Sequence, residues 1–138
     1  MITVTVSEEI EGPAAAVWAA LENFGAPRSG GGLKDFRVQG RGVGMTRTFD
    51  MGDHCIVERL DSHDPNTMTF AYSIVNEDHP LPVSRYSAQV RVSDAGGGRS
   101  GVQWVATFEP RGDEARARST MEAVYRAAIA RARKTVCG

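Results

Sequence analysis

The chain opens with a strict two-residue alternation. Ile2, Val4, Val6 and Ile10 are apolar, and Thr3, Thr5, Ser7, Glu9 and Glu11 between them are polar. Successive side chains of a strand point to opposite faces, so this pattern predicts a half-buried strand over 2–11. Gly12-Pro13 ends it. Proline at a first helical position gives up an N–H that would have no partner there, so a helix is predicted to start at Pro13. Ala14, Val17, Trp18 and Leu21 fall on one helical face, and Gly25 and Pro27 stop the helix near Phe24. Gly30-Gly31-Gly32 then predicts a flexible loop.

From Phe36 onward the period returns to two. Strands are predicted at roughly 35–41, 44–51, 54–61, 67–75, 85–93 and 101–109. The separators are turn formers: Gly40-Arg41-Gly42, Gly52-Asp53, Asp64-Pro65-Asn66, His79-Pro80-Leu81-Pro82 and Gly96-Gly97-Gly98. Short, evenly spaced strands of this kind form an antiparallel meander. The period changes to helical once more from about Asp113 to Lys134. Ala117, Met121, Val124, Ala128 and Ala132 make the apolar stripe, with Tyr125 beside it. Asp113 and Glu114 at one end and Arg131, Arg133 and Lys134 at the other suit the helix dipole. The order strand, helix, six strands, long helix predicts an α+β helix-grip fold. In it a curved seven-stranded antiparallel sheet wraps a long C-terminal helix, and a shorter helix follows strand 1. With 138 residues and no repeat, one ligand-binding domain over 1–138 is expected.

The hairpin at Gly52-Asp53 carries the strongest chemical signal. A two-residue type II′ turn with glycine first makes opposite residue numbers sum to 105. Met45 then faces Leu60, Arg47 faces Glu58, Phe49 faces Ile56 and Met51 faces His54, all on the more apolar side. Two three-residue loops are the alternatives. One sets Arg47 against Arg59, which like-charge repulsion disfavours; the other sets it against Val57 and turns Glu58 outward. If Arg47 and Glu58 both face inward, two chemistries are open. The pair can simply brace two strands. Or the arginine fork can hold a carbonyl or enolate oxygen while the carboxylate, in apolar surroundings, transfers a proton near neutral pH.

Alternation on the other strands turns Met68, Phe70, Tyr72, Ile74, Tyr86, Ala88, Val90, Val92, Val102, Trp104, Ala106 and Phe108 inward. Most of these are plain core. Tyr72, Tyr86 and Trp104 are candidate ligand contacts, because each combines a ring with a polar tip. Phe49, Ile56, Met121 and Tyr125 complete the candidate ligand-binding set.

Composition removes several classes. The net charge of -1 gives no basic surface for nucleic acid. No apolar run is long enough to span a membrane. The first residues lack the basic-then-apolar pattern of a signal peptide, and Cys55 and Cys137 make no disulfide framework, so a cytoplasmic protein is expected. His54, His63 and His79 have no metal-ligand spacing and are expected at surfaces or turns. Neither cysteine has a nearby base to mark a nucleophile. Gly40-Arg41-Gly42-Val43-Gly44 lacks the third glycine of a dinucleotide loop and leads into a strand. No Walker loop and no Gly-x-Ser-x-Gly elbow occurs. No cofactor and no metal are expected. Arg116, Arg118, Arg126, Arg131 and Arg133 are expected on the solvated face of the last helix.

The chain resembles the START/Bet v 1-like group in its polyketide cyclase/dehydrase branch. The resemblance rests on 10–18 (Ile-Glu-Gly-Pro-Ala-Ala-Ala-Val-Trp), 42–49 (Gly-Val-Gly-Met-Thr-Arg-Thr-Phe) and Glu58-Arg59-Leu60 with Asp64. Tyr72-Ser73-Ile74, Pro82 and the strand holding Trp104 and Phe108 complete it. It covers nearly the whole chain. It implies a cavity for a small hydrophobic, carbonyl-rich molecule and, in some members, its cyclisation or dehydration. Related plant lachrymatory-factor synthases are understood to use an arginine and a glutamate in the cavity, which by motif position match Arg47 and Glu58. The rivals are a non-catalytic carrier or sensor of lipophilic ligands and a regulatory protein-interaction module. Either suits a monomer or homodimer.

Overall fold

The computed structural model describes residues 1–24 and 34–138. Strand β1 (Ile2–Glu11) is followed by helix α1 (Ala14–Glu22). Six strands come next: β2 (Lys34–Gln39), β3 (Thr46–Met51), β4 (His54–Asp64), β5 (Thr69–Ile74), β6 (Val83–Gly96) and β7 (Arg99–Pro110). Helix α2 (Glu114–Cys137) ends the chain. The sheet order is β1-β7-β6-β5-β4-β3-β2, antiparallel throughout. Strands adjacent in sequence are adjacent in space except β1, which pairs with β7 at the far end of the meander. This is the helix-grip architecture that the alternation predicts.

Each strand buries one side and exposes the other. On β7, Ser100, Val102, Trp104, Ala106 and Phe108 are buried, and Arg99 and Gln103 are exposed. The apolar row packs on α2, which lies against β1, β7 and α1. Register breaks at Leu60/Ser62, Ser84/Ser87 and Asp94/Gly96 bend the strands that carry them. At Ser84/Ser87 the bulge holds Arg85 at φ 53°. Val83 and Tyr86, three residues apart, both end up facing the core there.

The two helices begin differently. At α2, Asp113 accepts from the Ala115 N–H at 2.8 Å and the Arg116 N–H at 3.4 Å, as an N-cap carboxylate does. At α1, Pro13 lies one position earlier than expected, outside the first turn, and its carbonyl accepts from Ala16 and Val17. Gly12 sits directly beneath Val136 of α2, where a Cβ would overlap the valine methyl. Its carbonyl accepts from the buried Ser100 hydroxyl at 2.5 Å.

Several boundaries depart from the alternation. β4 runs to Asp64 and β6 starts at Val83, because bulges let strands continue where the two-residue period is interrupted. Met68, expected on an inward row, precedes β5 in a turn at φ 51° and is only half-buried against the core. The expected helix stop at Gly25 and Pro27 and the Gly30-Gly31-Gly32 loop lie outside the described residues. Among the described residues no helix is long and apolar enough to cross a membrane.

Candidate functional site

The β3–β4 turn takes the register that sums to 105: Arg47 is opposite Glu58, Phe49 opposite Ile56 and Met51 opposite His54. Gly52 supplies the positive φ, 67°, that a primed turn requires of its first residue. Both charged side chains therefore point to the core, with Arg47 5% and Glu58 7% exposed. Arg47 Nε donates to Glu58 Oε1 at 2.6 Å.

The pair touches through one bond, not the parallel two-bond fork that arginine and carboxylate can form. Arg47 Nη1 donates a longer bond, 3.4 Å, to the Phe24 carbonyl, and its guanidinium carbon lies 3.9 Å above the Phe24 ring. The Tyr72 ring centre is 5.7 Å away on another side. Arg47 Nη2 and Glu58 Oε2 make no hydrogen bond among the described residues. A donor and an acceptor thus sit together at a buried place, each with capacity to spare.

Beside the pair lies a chain of polar tips. Trp104 Nε1 donates to the Tyr72 hydroxyl at 3.2 Å, the Tyr72 and Tyr86 hydroxyls are 3.1 Å apart, and those of Tyr86 and Tyr125 are 2.6 Å apart. Burial, then the neighbouring Tyr72 and Tyr125, push the Tyr86 pKa well above the usual tyrosine value. Burial, then Tyr72, also raise Tyr125, and the Glu58 charge adds to the rise. Both phenols are therefore neutral at physiological pH and carry their protons. Three hydroxyls joined by two bonds use two protons among themselves. Tyr72 and Tyr125 are the two ends of this chain. Both ends adjoin the Arg47–Glu58 pair.

The structure brings all the sequence candidates together. Arg47 comes from β3, Glu58 from β4, Tyr72 from β5, Tyr86 from β6, Trp104 from β7, and Met121 and Tyr125 from α2. Phe49 and Ile56 flank the ion pair along β3 and β4, and every one of these side chains is buried. Aromatic contacts connect them: Trp104 stacks on Tyr125 at 5.4 Å and meets Tyr72 edge-on at 6.3 Å. The tyrosine tips, expected to be offered to a ligand, are instead engaged with one another.

Two residues were not legible as part of this neighbourhood. Phe24 closes over Arg47 from the end of α1, and nothing in the spacing around α1 announces that contact. Arg131, expected in solvent, is half-buried. Burial and, secondarily, the charge of Arg47 depress its pKa, so the two guanidinium groups are within electrostatic reach. Its signal in the sequence is its place three residues after Ala128 and next to Ala132, on the margin of the apolar stripe. His79 is only 6% exposed, although it sits in the turn between β5 and β6 as expected. His54 and His63 are partly exposed and lie against Asp78 and Glu22. Arg126 and Arg133 are not simply solvated either: they pair with Glu8 of β1 at 2.9 and 3.0 Å.

A separate hollow on the outer face of the sheet lies over Gly101, between Ser7, Glu9, Arg91, Ser93 and Gln103. It is open, with a lining of mixed polarity, and the sheet divides it from the ion pair. Among the described residues no three His, Cys, Asp or Glu side chains are grouped to hold a metal.

Solved structures share this architecture. An uncharacterized protein from Bacillus thuringiensis superposes with a TM-score of 0.82 at 23% identity, over 99% of this chain and 100% of that one. The protein XoxI from Bacillus cereus gives 0.82 at 23% identity, over 99% and 96%. Ara h 8.0201 gives 0.77 at 17% identity, over 99% of each chain. At such identities the likeness speaks for the fold alone. No curated protein matches the sequence. The model of the family described as "Polyketide cyclase / dehydrase and lipid transport" matches residues 1–136, and the chain belongs to that family.

Proposed function

We propose that the protein binds a small, largely apolar molecule bearing carbonyl groups between the sheet and α2, and catalyses its cyclisation or dehydration. The observation that carries this reading is the buried Arg47–Glu58 pair, joined by one bond, with Arg47 Nη2 and Glu58 Oε2 making no hydrogen bond among the described residues. A pair kept only for stability gains little, because desolvation offsets its attraction and apolar residues of similar volume do as well.

In the proposed reaction Arg47 donates to a substrate carbonyl and stabilises the oxyanion as it develops. Glu58 removes a proton from the carbon beside that carbonyl, giving an enolate. The enolate carbon attacks a second carbonyl of the same molecule, a carbon–carbon bond forms, and the new alkoxide takes the proton back from Glu58. Loss of the resulting hydroxyl with a neighbouring hydrogen, as water, completes a dehydration. Phe49, Ile56, Met121 and the rings of Tyr72, Tyr86 and Trp104 hold the apolar body of the substrate. Free Cys55 and Cys137 support a reducing compartment, the cytoplasm, as the place of action.

A carrier without chemistry is the second reading. It is favoured by the mutual engagement of the tyrosine tips and by lipid transport in the family description. Titration with aromatic and aliphatic polyketide-like ligands, followed by tryptophan fluorescence and by mass analysis of the recovered ligand, separates the two. A ligand returned lighter by one water, or isomerised, supports catalysis. Saturable binding with the ligand returned unchanged by wild type and Glu58→Gln alike supports the carrier. No saturable binding across the panel overturns both.

A further inference from the structure

One hydrogen bond does not fix the plane of a guanidinium. Arg47 meets Glu58 through Nε alone, and a side chain held at one bond still turns about it. Two further contacts come from outside the β3–β4 hairpin, and both belong to Phe24. Its carbonyl accepts from Arg47 Nη1 at 3.4 Å, and its ring centre lies 3.9 Å from the guanidinium carbon, well within reach for a cation over an aromatic face. The Glu58 carboxylate, the Phe24 carbonyl and the Phe24 ring together hold the fork at three points.

Phe24 is itself placed by contacts that do not involve Arg47. Its N–H donates to the Glu22 carbonyl at 2.7 Å, which ties it to the last residue of α1. Trp18 of α1 stacks on His63 of β4 with ring centres 5.4 Å apart and meets Phe70 of β5 at 6.0 Å. Glu22 Oε2 lies 3.4 Å from His63 Nε2. Phe24 is buried, and its ring centre is 6.1 Å from that of Tyr72. The order of dependence runs from β4 and β5 through α1 to Phe24, and from Phe24 to Arg47.

We propose that Phe24 is the positioning residue for Arg47: its ring and its carbonyl, brought in by α1, hold the guanidinium in the orientation that receives a substrate carbonyl beside Glu58. This rests on the reaction proposed above and adds how its cation is kept in place. A donor that polarises a carbonyl acts most strongly when it need not reorient as charge develops. Phe24 acts through the arginine, so its loss changes how a bound carbonyl is polarised more than how tightly the molecule binds.

The test reads Arg47 directly by NMR, in full chains carrying isotopically labelled arginine. The Arg47 Nε–H resonance is identified by its absence from Arg47→Lys. Exchange of that proton with solvent follows how often the side chain leaves its place. Mono-, di- and trifluorinated phenylalanine in place of Phe24 nearly keep the size and apolarity of the ring and progressively weaken its negative face. Exchange is expected to quicken stepwise along the series, by about 5- to 30-fold at its end, and Phe24→Leu is expected to reach at least that rate. Exchange that does not respond to fluorination makes Phe24 ordinary packing and overturns the proposal, whatever Phe24→Leu does.

The second reading uses 2-acetylnaphthalene labelled at its carbonyl carbon, whose resonance moves downfield when the oxygen accepts a strong hydrogen bond. Wild type is expected to bind it with that shift. Phe24→Leu is expected to bind it within about threefold of the wild-type affinity, with the shift largely lost. A shift kept in full by Phe24→Leu overturns the proposal as well. Failure of wild type to bind the ketone removes the ligand reading alone, and the exchange series still decides whether Phe24 places Arg47.

Discussion

The hydroxyls of Tyr86 and Tyr125 lie 2.6 Å apart, joining the middle of the sheet to α2 by a polar contact within an apolar interior. Removing either oxygen has unequal consequences. Tyr86→Phe strands the Tyr125 hydroxyl, while Tyr72 keeps its bond from Trp104; Tyr125→Phe leaves Tyr86 its bond to Tyr72 and strands none. A buried group left without its partner costs about 1–3 kcal/mol. Urea unfolding is expected to show Tyr86→Phe as the more destabilised variant, by about 1 kcal/mol over Tyr125→Phe. Equal stabilities would mean that the chain of tips is not cooperative.

The ion pair separates stability from activity. Arg47→Leu leaves Glu58 buried without its partner and is expected to cost about 3–5 kcal/mol. The double variant Arg47→Leu/Glu58→Leu is expected to recover most of that loss and to turn nothing over. Denaturant melts of the single and double variants check the first expectation. Activity on any substrate found for wild type checks the second.

His79 gives the fold a pH dependence with a definite sign. Its Nδ1 accepts from the Leu81 N–H at 3.2 Å, which places the proton on Nε2, and that buried atom has no acceptor among the described residues. Burial first, and the Arg111 charge second, outweigh Glu77 and Asp78 and hold its pKa below the usual histidine value. The unfolded chain therefore takes up this proton first as the pH falls. Stability from His79 is complete above about pH 6.5 and is lost as the pH falls through the lower native value. Unfolding curves between pH 8 and 5 are expected to show wild type losing more stability than His79→Gln.

Gly12 is fixed by its neighbour. A methyl group there meets the Val136 side chain, while the Gly12 carbonyl is tied to Ser100 on the other side. Gly12→Ala is expected to lower stability by about 1–3 kcal/mol, the cost of overpacking. Pairing it with Val136→Ala is expected to restore most of the loss.

Legibility in the sequence followed the range of the interactions. The Arg47–Glu58 pairing could be read because a two-residue turn leaves one register, and Gly52 is suited to that turn. The inward rows of β6 and β7 could be read from alternation. The chain of contacts from Tyr72 through Tyr86 to Tyr125 could not, because an eight-residue connection separates β5 from β6 and the whole of β7 intervenes before α2. Arg131 was misplaced, and the burial of His79 within its expected turn was missed, for a common reason. Residue type predicts exposure on average, whereas their burial comes from elements far along the chain. Met68 was misplaced because a left-handed residue interrupts the two-residue period just before β5.

The position of β1 has a consequence for how the chain acquires its shape. Ile2 lies opposite Phe108 and Glu11 opposite Arg99, so the first strand synthesised pairs with the last. The hairpins from β2 to β6 need only nearby partners, and loop closure for them is rapid. The β1–β7 pairing spans the whole meander, so closing it carries the largest loop-closure cost in the sheet. α2 packs on the strands so joined and sets the Tyr125 hydroxyl against that of Tyr86 on the inner face of the sheet.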